Sequence, residues 1–425
     1  MISTATPPQV LDVYLQNQFI GKLYSNMATL SFQYDATYVE KKEVLKLSVS
    51  LPLQRNAFDH ATTAAFFAGL LPDDHVRVQL ARTLHLSAKN TFALLKAIGG
   101  ECAGAVSVYP EGVTPKSAQT PTYKILDLTE ATKILSSLDK HPLMAGEEDI
   151  RISGAGTQNK LMISFVEGNI AIPTGNTPST HIIKPAIKDL EASVHNEFFC
   201  MRLAQRVGLP VPAVEIFWLQ EQPYYLVERY DRKREKNGLV TRLHQEDFCQ
   251  ALHIPPEIKY EDEAGTTLAD CFGLLDTRIQ LGSMAGKNKL LLLDVVIFNF
   301  IIGNGDAHGK NFSLLYHAQQ EALAPFYDLL CTMVYSNPHK AKMAMKIGGK
   351  YKFKEVQPRH WEQLAEDLGF KPEFVKNKIL KLSRQISEEA LSLSQALNQN
   401  PNTASSIYEK ILTVIQQHTK KLLPQ

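Results

Sequence analysis

The chain has 425 residues, with 45 Lys and Arg against 44 Asp and Glu, and a formal net charge of +1. That length supports about two to three domains. The balanced charge excludes bulk electrostatic binding of nucleic acid; such a chain on DNA would rely on a partner for most of its grip.

Five cysteines, Cys102, Cys200, Cys249, Cys271 and Cys331, are scattered without a C-x-x-C. They point to a reducing compartment and buried thiols, not to zinc. Met1–Pro8 carries neither a basic nor an apolar leader segment. The longest apolar runs fall short of the roughly 20 residues of a membrane span. A cytoplasmic protein with no membrane contact is expected.

Residues 9–55 read as short strands. Val10–Leu15 and Leu30–Tyr34 alternate, Gln18–Leu23 follows a turn, and Lys46–Leu53 alternates again. Residues 62–98 turn helical, with Pro72-Asp73-Asp74 as a stop and cap. Gly99, Gly100 and Gly104 precede a strand; no Lys follows as in a phosphate loop, and a tight turn explains them. The polar, Pro-bearing stretch 111–122 reads as a surface loop or linker.

Ser153-Gly154-Ala155-Gly156-Thr157-Gln158-Asn159-Lys160 is a small-residue loop ahead of the apolar Leu161-Met162-Ile163. Such a loop can bring backbone N–H groups close to phosphates, and a plain β-turn fits as well. Thr180–Pro185 reads as a strand ending in Lys184, either a kinase-like ATP lysine or a solvated strand end. Val194–Val207 is an amphipathic helix ended by Gly208 and Pro210. Glu197, in its first turns, either pairs with Lys184 or serves the helix dipole. Residues 211–217 and 224–232 are strand-like, and the second ends in charges that include Glu228, Arg229 and Tyr230.

Residues 243–300 are predicted to be helical, interrupted by the polar loop Lys259–Gly265. The apolar run Leu290–Phe300 then meets Gly303-Asn304-Gly305-Asp306-Ala307-His308-Gly309-Lys310-Asn311. A loop this polar between apolar segments points to a ligand. Asp306 and Asn311 stand as D-x-x-x-x-N, the second half of the protein-kinase catalytic loop, where Asp takes the hydroxyl proton and Asn holds Mg²⁺. Pro325-Phe326-Tyr327-Asp328, ending a strand-like run, offers a second acid. Two carboxylates and an amide are hard oxygen ligands suited to Mg²⁺ on phosphates. Residues 329–354 carry six lysines and are expected to form a mobile basic loop; 361–397 and 405–422 are expected helices.

The run Asp306–Ser313 followed by Pro325–Asp328 resembles the HipA family, the serine/threonine kinase toxins of bacterial toxin–antitoxin modules. The resemblance covers nearly the whole chain. It implies a two-lobed α/β (α+β) fold related to protein and phosphatidylinositol kinases. Residues 1–148 would form a β-rich subdomain, 149–242 the nucleotide-binding part, and 243–425 an all-helical lobe. It implies ATP and Mg²⁺ as cofactors and Asp306 as the base, with Asn311 and Asp328 on Mg²⁺. ATP would be held by Ala155, Gly156, Thr157, Gln158, Asn159, Lys160, Lys184, Glu228, Arg229, Tyr230, His308, Lys310, Asn311, Tyr327 and Asp328, with residues 228–230 as the adenine hinge. Ser153 would be autophosphorylated, adding roughly −2 charges beside the ATP phosphates and ejecting the loop.

The implied partners are a HipB-like helix-turn-helix antitoxin and, mainly through it, operator DNA. The implied substrate is an aminoacyl-tRNA synthetase, whose inhibition would arrest growth and lead to persistence. Two features differ. Gly154 stands where many family loops carry a larger apolar residue, which predicts a looser loop, and the catalytic loop lacks the H-R of protein kinases. Two other readings fit the residues: a lipid or small-molecule kinase, and a silent ATP-binding co-regulator of an antitoxin repressor.

Overall fold

The computed structural model describes residues 8–27, 29–115, 121–147, 149–317 and 320–422. Met1–Pro8 and the loop expected at 111–122 therefore lie partly outside the described residues. The chain forms two compact units, each built from separated segments. The first takes Met1–Ile183, Arg229–Glu257 and Leu315–Gln320; the second takes Lys184–Glu228, Ile258–Leu314 and Glu321–Gln425.

In the first unit, Thr29–Tyr34, Gln18–Asn26, Gln9–Leu15 and Val106–Pro110 lie side by side in that order, all antiparallel. The alternation seen in sequence sends Leu30, Phe32 and Tyr34 inward. Helix His60–Gly69 starts where the Asp59 carboxylate accepts the Thr62 N–H at 2.9 Å. Its Phe67 packs on Phe32, closing that core.

The alternating stretch Lys46–Leu53 is not a strand. Its backbone groups find side chains instead. Leu47 N–H donates to the Tyr34 hydroxyl at 2.7 Å, which itself donates to Leu51 O, and Val49 N–H donates to Glu246 Oε1 at 2.8 Å. Leu47, Ser48, Ser50 and Leu51 are all buried, and long-range side-chain bonds take the place of a partner strand.

A further antiparallel layer of the unit runs Tyr123–Ile125, Asn169–Pro173, Leu161–Val166 and the start of His181–Pro185. Beside it lies a buried ion cluster. Arg229 and Arg232 share Glu101 and Asp231 at 2.8–3.4 Å. Burial opposes the Glu101 charge, but Arg232 and Arg229 outweigh it and hold its pKa at about 2.

In the second unit, strands Val214–Leu219 and Gln222–Glu228 pair as an antiparallel hairpin. Helix Ser193–Arg206 packs on it. Helices Leu268–Gln280, Lys287–Ile302, Pro358–Asp367, Pro372–Asn398 and Ile407–Leu422 make up the rest of the core. Phe300, Phe353, Trp361 and His418 form one aromatic group, and the His418 Nδ1–H donates to Phe300 O at 2.7 Å. No helix among the described residues is long and apolar enough to cross a membrane. All five cysteines are buried and unbridged.

The C-terminal stretch 243–425 departs from expectation in three places. It is not all helical, since Gln245–Asp247, Ser313–His317, Gln320–Leu323, Lys342–Ile347 and Lys350–Lys352 are strands. The single helix expected at 361–397 is two, because Gly369 turns at φ +72° and Pro372 opens a new helix at its first position. The basic segment 329–354 is no loose loop. It holds a short 3₁₀ turn, Thr332–Tyr335, and the hairpin Lys342–Lys352.

Glu246 offers a test of the first unit. It is buried, accepts from Val49 N–H, Ser48 and Tyr316, and burial pushes its pKa from an ordinary 4.5 up to about 7 despite those donors. A carboxyl whose folded pKa is raised binds its proton more tightly when folded. Its contribution is therefore full below about 4.5 and is lost as pH rises towards about 7. Glu246→Gln should remove that dependence: wild type, compared with the variant by denaturant unfolding, should lose stability as pH climbs through this window.

Candidate active site

The polar loop is fixed at its start by the end of a helix. Lys287–Ile302 is buried nearly all round in its last turns and stops at Gly303, which turns left-handed at φ +74°. A Cβ there would sit 2.8 Å from Val414 and 3.1 Å from Met333, so glycine is required on both counts. Asn304 is buried; it donates to Asn299 Oδ1 at 3.0 Å and accepts the Asp306 N–H at 3.1 Å. Gly305 N–H donates to Thr332 Oγ1 at 2.7 Å. These bonds define the path of the backbone before any ligand arrives.

Asp306 follows with its side chain 41 % exposed. Its carbonyl accepts the His308 N–H and the Asn311 Nδ2–H, both at 2.8 Å, so the two halves of the D-x-x-x-x-N pattern close on each other. That bond commits the Asn311 Nδ2 within the loop. One Asp306 oxygen, Oδ1, accepts the Tyr260 hydroxyl at 2.6 Å. His308 is buried beside Tyr260, ring edge against ring face. Burial first, then the charges of Lys259 and Lys310, push its pKa down to about 3, so it is neutral at pH 7. Lys310 is buried, and its carbonyl accepts the Tyr327 hydroxyl at 2.8 Å.

The second acid is held by a lysine. Lys184 Nζ lies 2.8 Å from Glu197 Oε1 and 2.5 Å from Asp328 Oδ1. Lys184 and Glu197 are both buried, while the Asp328 side chain is 36 % exposed. Burial works against the lysine charge, but the two carboxylates outweigh it and its pKa rises. Of the two roles open to Glu197 in the sequence, the pair with Lys184 is the one formed. Asp328 is not at the end of a strand; it sits in irregular chain at φ +52°, a left-handed conformation that Asp tolerates better than most residues.

Asp306, His308, Lys310, Asn311, Tyr327, Asp328, Lys184 and Glu228 thus belong to the second unit. Ser153, Ala155–Lys160, Arg229 and Tyr230 belong to the first. There, Ser153 is buried and its hydroxyl donates to Leu70 O at 2.5 Å. Lys160 Nζ donates to Ala155 O at 2.5 Å, across the loop. Gly154 does not loosen this segment. A Cβ on it would lie 2.2 Å from the Met162 methyl, so Met162 and Leu143 already fill the space a larger residue would take.

At residues 228–230, Glu228 N–H donates to Ala213 O and Arg229 N–H to Thr180 O, both at 2.9 Å. Those two donors are committed to backbone carbonyls, and the Arg229 side chain is committed to the ion cluster. Sequence reasoning missed Tyr260 and Lys259 as neighbours of the loop, and Thr332 as its support. Only the polarity of Lys259–Gly265 hinted at a role, and nothing in its spacing pointed to Asp306.

Lys184→Met should leave Glu197 as a buried carboxylate without its cation. Denaturant unfolding should then show a loss of about 3–5 kcal/mol, largely recovered when Glu197 is replaced by Met as well.

Two family models match the chain in order. Residues 11–109 match the HipA N-terminal domain and residues 152–392 the HipA-like C-terminal domain. A putative kinase of Sinorhizobium fredii, Y4mE, is 39 % identical over 386 residues, covering 89 % of this chain and 90 % of the relative. The serine/threonine-protein kinase toxin HipA of Shewanella oneidensis is 28 % identical over 390 residues, covering 89 % and 88 %. Among solved structures, HipA in the Shewanella oneidensis HipA, HipB and operator DNA complex matches with a TM-score of 0.80 at 25 % identity, over 97 % of this chain and 96 % of that one. With both domains present in order and the fold shared over almost its full length, this chain belongs to the HipA family.

Proposed function

We propose that the chain transfers the γ-phosphate of ATP to a Ser or Thr hydroxyl of a protein. The observation that carries this reading is the closed Asp306–Asn311 loop in one unit with a buried Lys184 paired to Asp328. Asp306 is the proposed base; its half-exposed carboxylate can accept or orient the hydroxyl proton. Lys184 and Lys310 are the proposed phosphate cations, and the backbone of Ala155–Lys160 is a proposed phosphate loop. His308, being neutral, acts as a hydrogen-bonding group and not as a cation. Tyr327 braces Lys310, and residues 228–230 are the proposed adenine hinge, read through groups other than the two committed N–H donors.

The donor set suits magnesium: Asn311 Oδ1 and the Asp328 carboxylate are hard oxygens, and Mg²⁺ takes one or two such protein ligands plus phosphate. Among the described residues, no group of three or more His, Cys, Asp or Glu is gathered that would suit a different metal centre. When bound, the ion neutralises phosphate charge during transfer. The rest of the work is positioning, which the pinned loop performs.

Ser153 is the proposed site of self-modification. Its hydroxyl is buried against Leu70 O, so phosphorylation requires the segment to come out, and a phosphate dianion could not be reburied there without great cost. The named relative's complex with HipB and operator DNA supports a HipB-like helix-turn-helix antitoxin as partner. The net charge of +1 supports DNA contact mainly through that partner. An aminoacyl-tRNA synthetase is the proposed target, with growth arrest and persistence as the outcome and the cytoplasm as the place.

Intact mass after incubation with Mg·ATP tests the reading. Wild type should gain one phosphate, mapped to Ser153 by trypsin, and Asp306→Asn should gain none. Asp328→Asn should slow the gain at least about a hundredfold. A wild-type chain that binds ATP yet gains no phosphate would sink the proposal and favour a silent regulator.

A further inference from the structure

The contact between Tyr260 and Asp306 is not explained by the reaction alone. Tyr260 lies on the polar loop Lys259–Gly265, 46 positions before Asp306, and its hydroxyl donates to Asp306 Oδ1 at 2.6 Å. Its ring stands edge to face against His308, with centroids 5.1 Å apart. The loop is itself anchored. Glu261 accepts the Lys346 N–H at 2.6 Å and pairs with Lys346 Nζ at 3.3 Å, and Asp262 pairs with Lys342. Gly265 N–H donates to Tyr260 O at 2.8 Å and closes the turn. At the far end of the loop Thr266 is buried against Gly309, where a Cβ would lie 2.3 Å from its Oγ1. The loop is therefore fixed to the hairpin Lys342–Lys352 on one side and to the polar loop 303–311 on the other.

We propose that Tyr260 is a positioning residue: its phenol holds the Asp306 carboxylate in one orientation so that an acceptor hydroxyl meets it in line. The inference rests on Asp306 being the base of a phosphate transfer. A hydrogen bond at Oδ1 from a rigid donor restricts rotation of the carboxylate. Lysines 342 and 346 have a role in this scheme that requires no outside partner, because they hold the acidic loop that carries the phenol.

The test uses the full chain with Mg·ATP and follows phosphate gained per chain by intact mass. Tyr260→Phe keeps the ring against His308 and removes only the donor. The maximal rate should fall about tenfold to a hundredfold, the effect of one hydrogen bond to a charged group. The ATP concentration at half-maximal rate and the thermal midpoint should stay unchanged. An unchanged or faster Tyr260→Phe would overturn the inference, as would a slower one whose thermal midpoint falls with it. A wild-type chain with no Asp306-dependent transfer is a separate result; it removes the kinase reading itself.

Discussion

A lysine buried between two carboxylates is the constraint on which the site depends. Lys184 comes from the end of a strand, Glu197 from a helix and Asp328 from irregular chain, and they meet within 2.8 Å. Taking such a lysine out of water is costly unless its charge is matched. Here it is matched twice, once by a fully buried acid and once by a half-exposed one. The buried acid fixes the lysine; the exposed acid is left with a face towards solvent. That asymmetry leaves one acid of the ion group sealed and the other within reach of solvent.

The polar loop obeys the same logic with neutral groups. Asn304 accepts the Asp306 N–H, Thr332 accepts the Gly305 N–H and the Asp306 carbonyl accepts the Asn311 amide, so much of the chain between Gly303 and Asn311 is already committed. Burial, and then the charges of Lys259 and Lys310, make a proton on His308 unfavourable. The histidine of the loop therefore stays uncharged beside two lysines.

Much of this was legible locally. D-x-x-x-x-N is a short-range pattern, and its two residues do close on each other across five positions. The helix feeding the loop was plain from its apolar run. What the sequence concealed is long-range. Tyr260 reaches Asp306 over 46 positions, Lys342 reaches Asp262 over 80, and His418 supports Phe300 over 118. No periodicity encodes such pairs. The same blindness made Lys46–Leu53 look like a strand, because alternating polarity does not say what the backbone bonds to. Lysine-rich 329–354 looked unpartnered for the same reason, although Glu261 and Asp262 stood in plain view upstream.

The segment Leu315–Gln320 completes the first unit, where Tyr316 bonds Glu246 and stacks on His244. The second unit likewise needs His418, close to the end of the described chain, to brace Phe300. A ribosome delivers residues in order, and simple domains fold as they emerge. This chain interleaves its units instead. The first closes with Leu315–Gln320, after much of the second has been passed, and the second takes in helix Ile407–Leu422. A fragment cut at residue 300 would therefore lack part of both units, and removing either late segment reaches back into packing laid down hundreds of positions earlier.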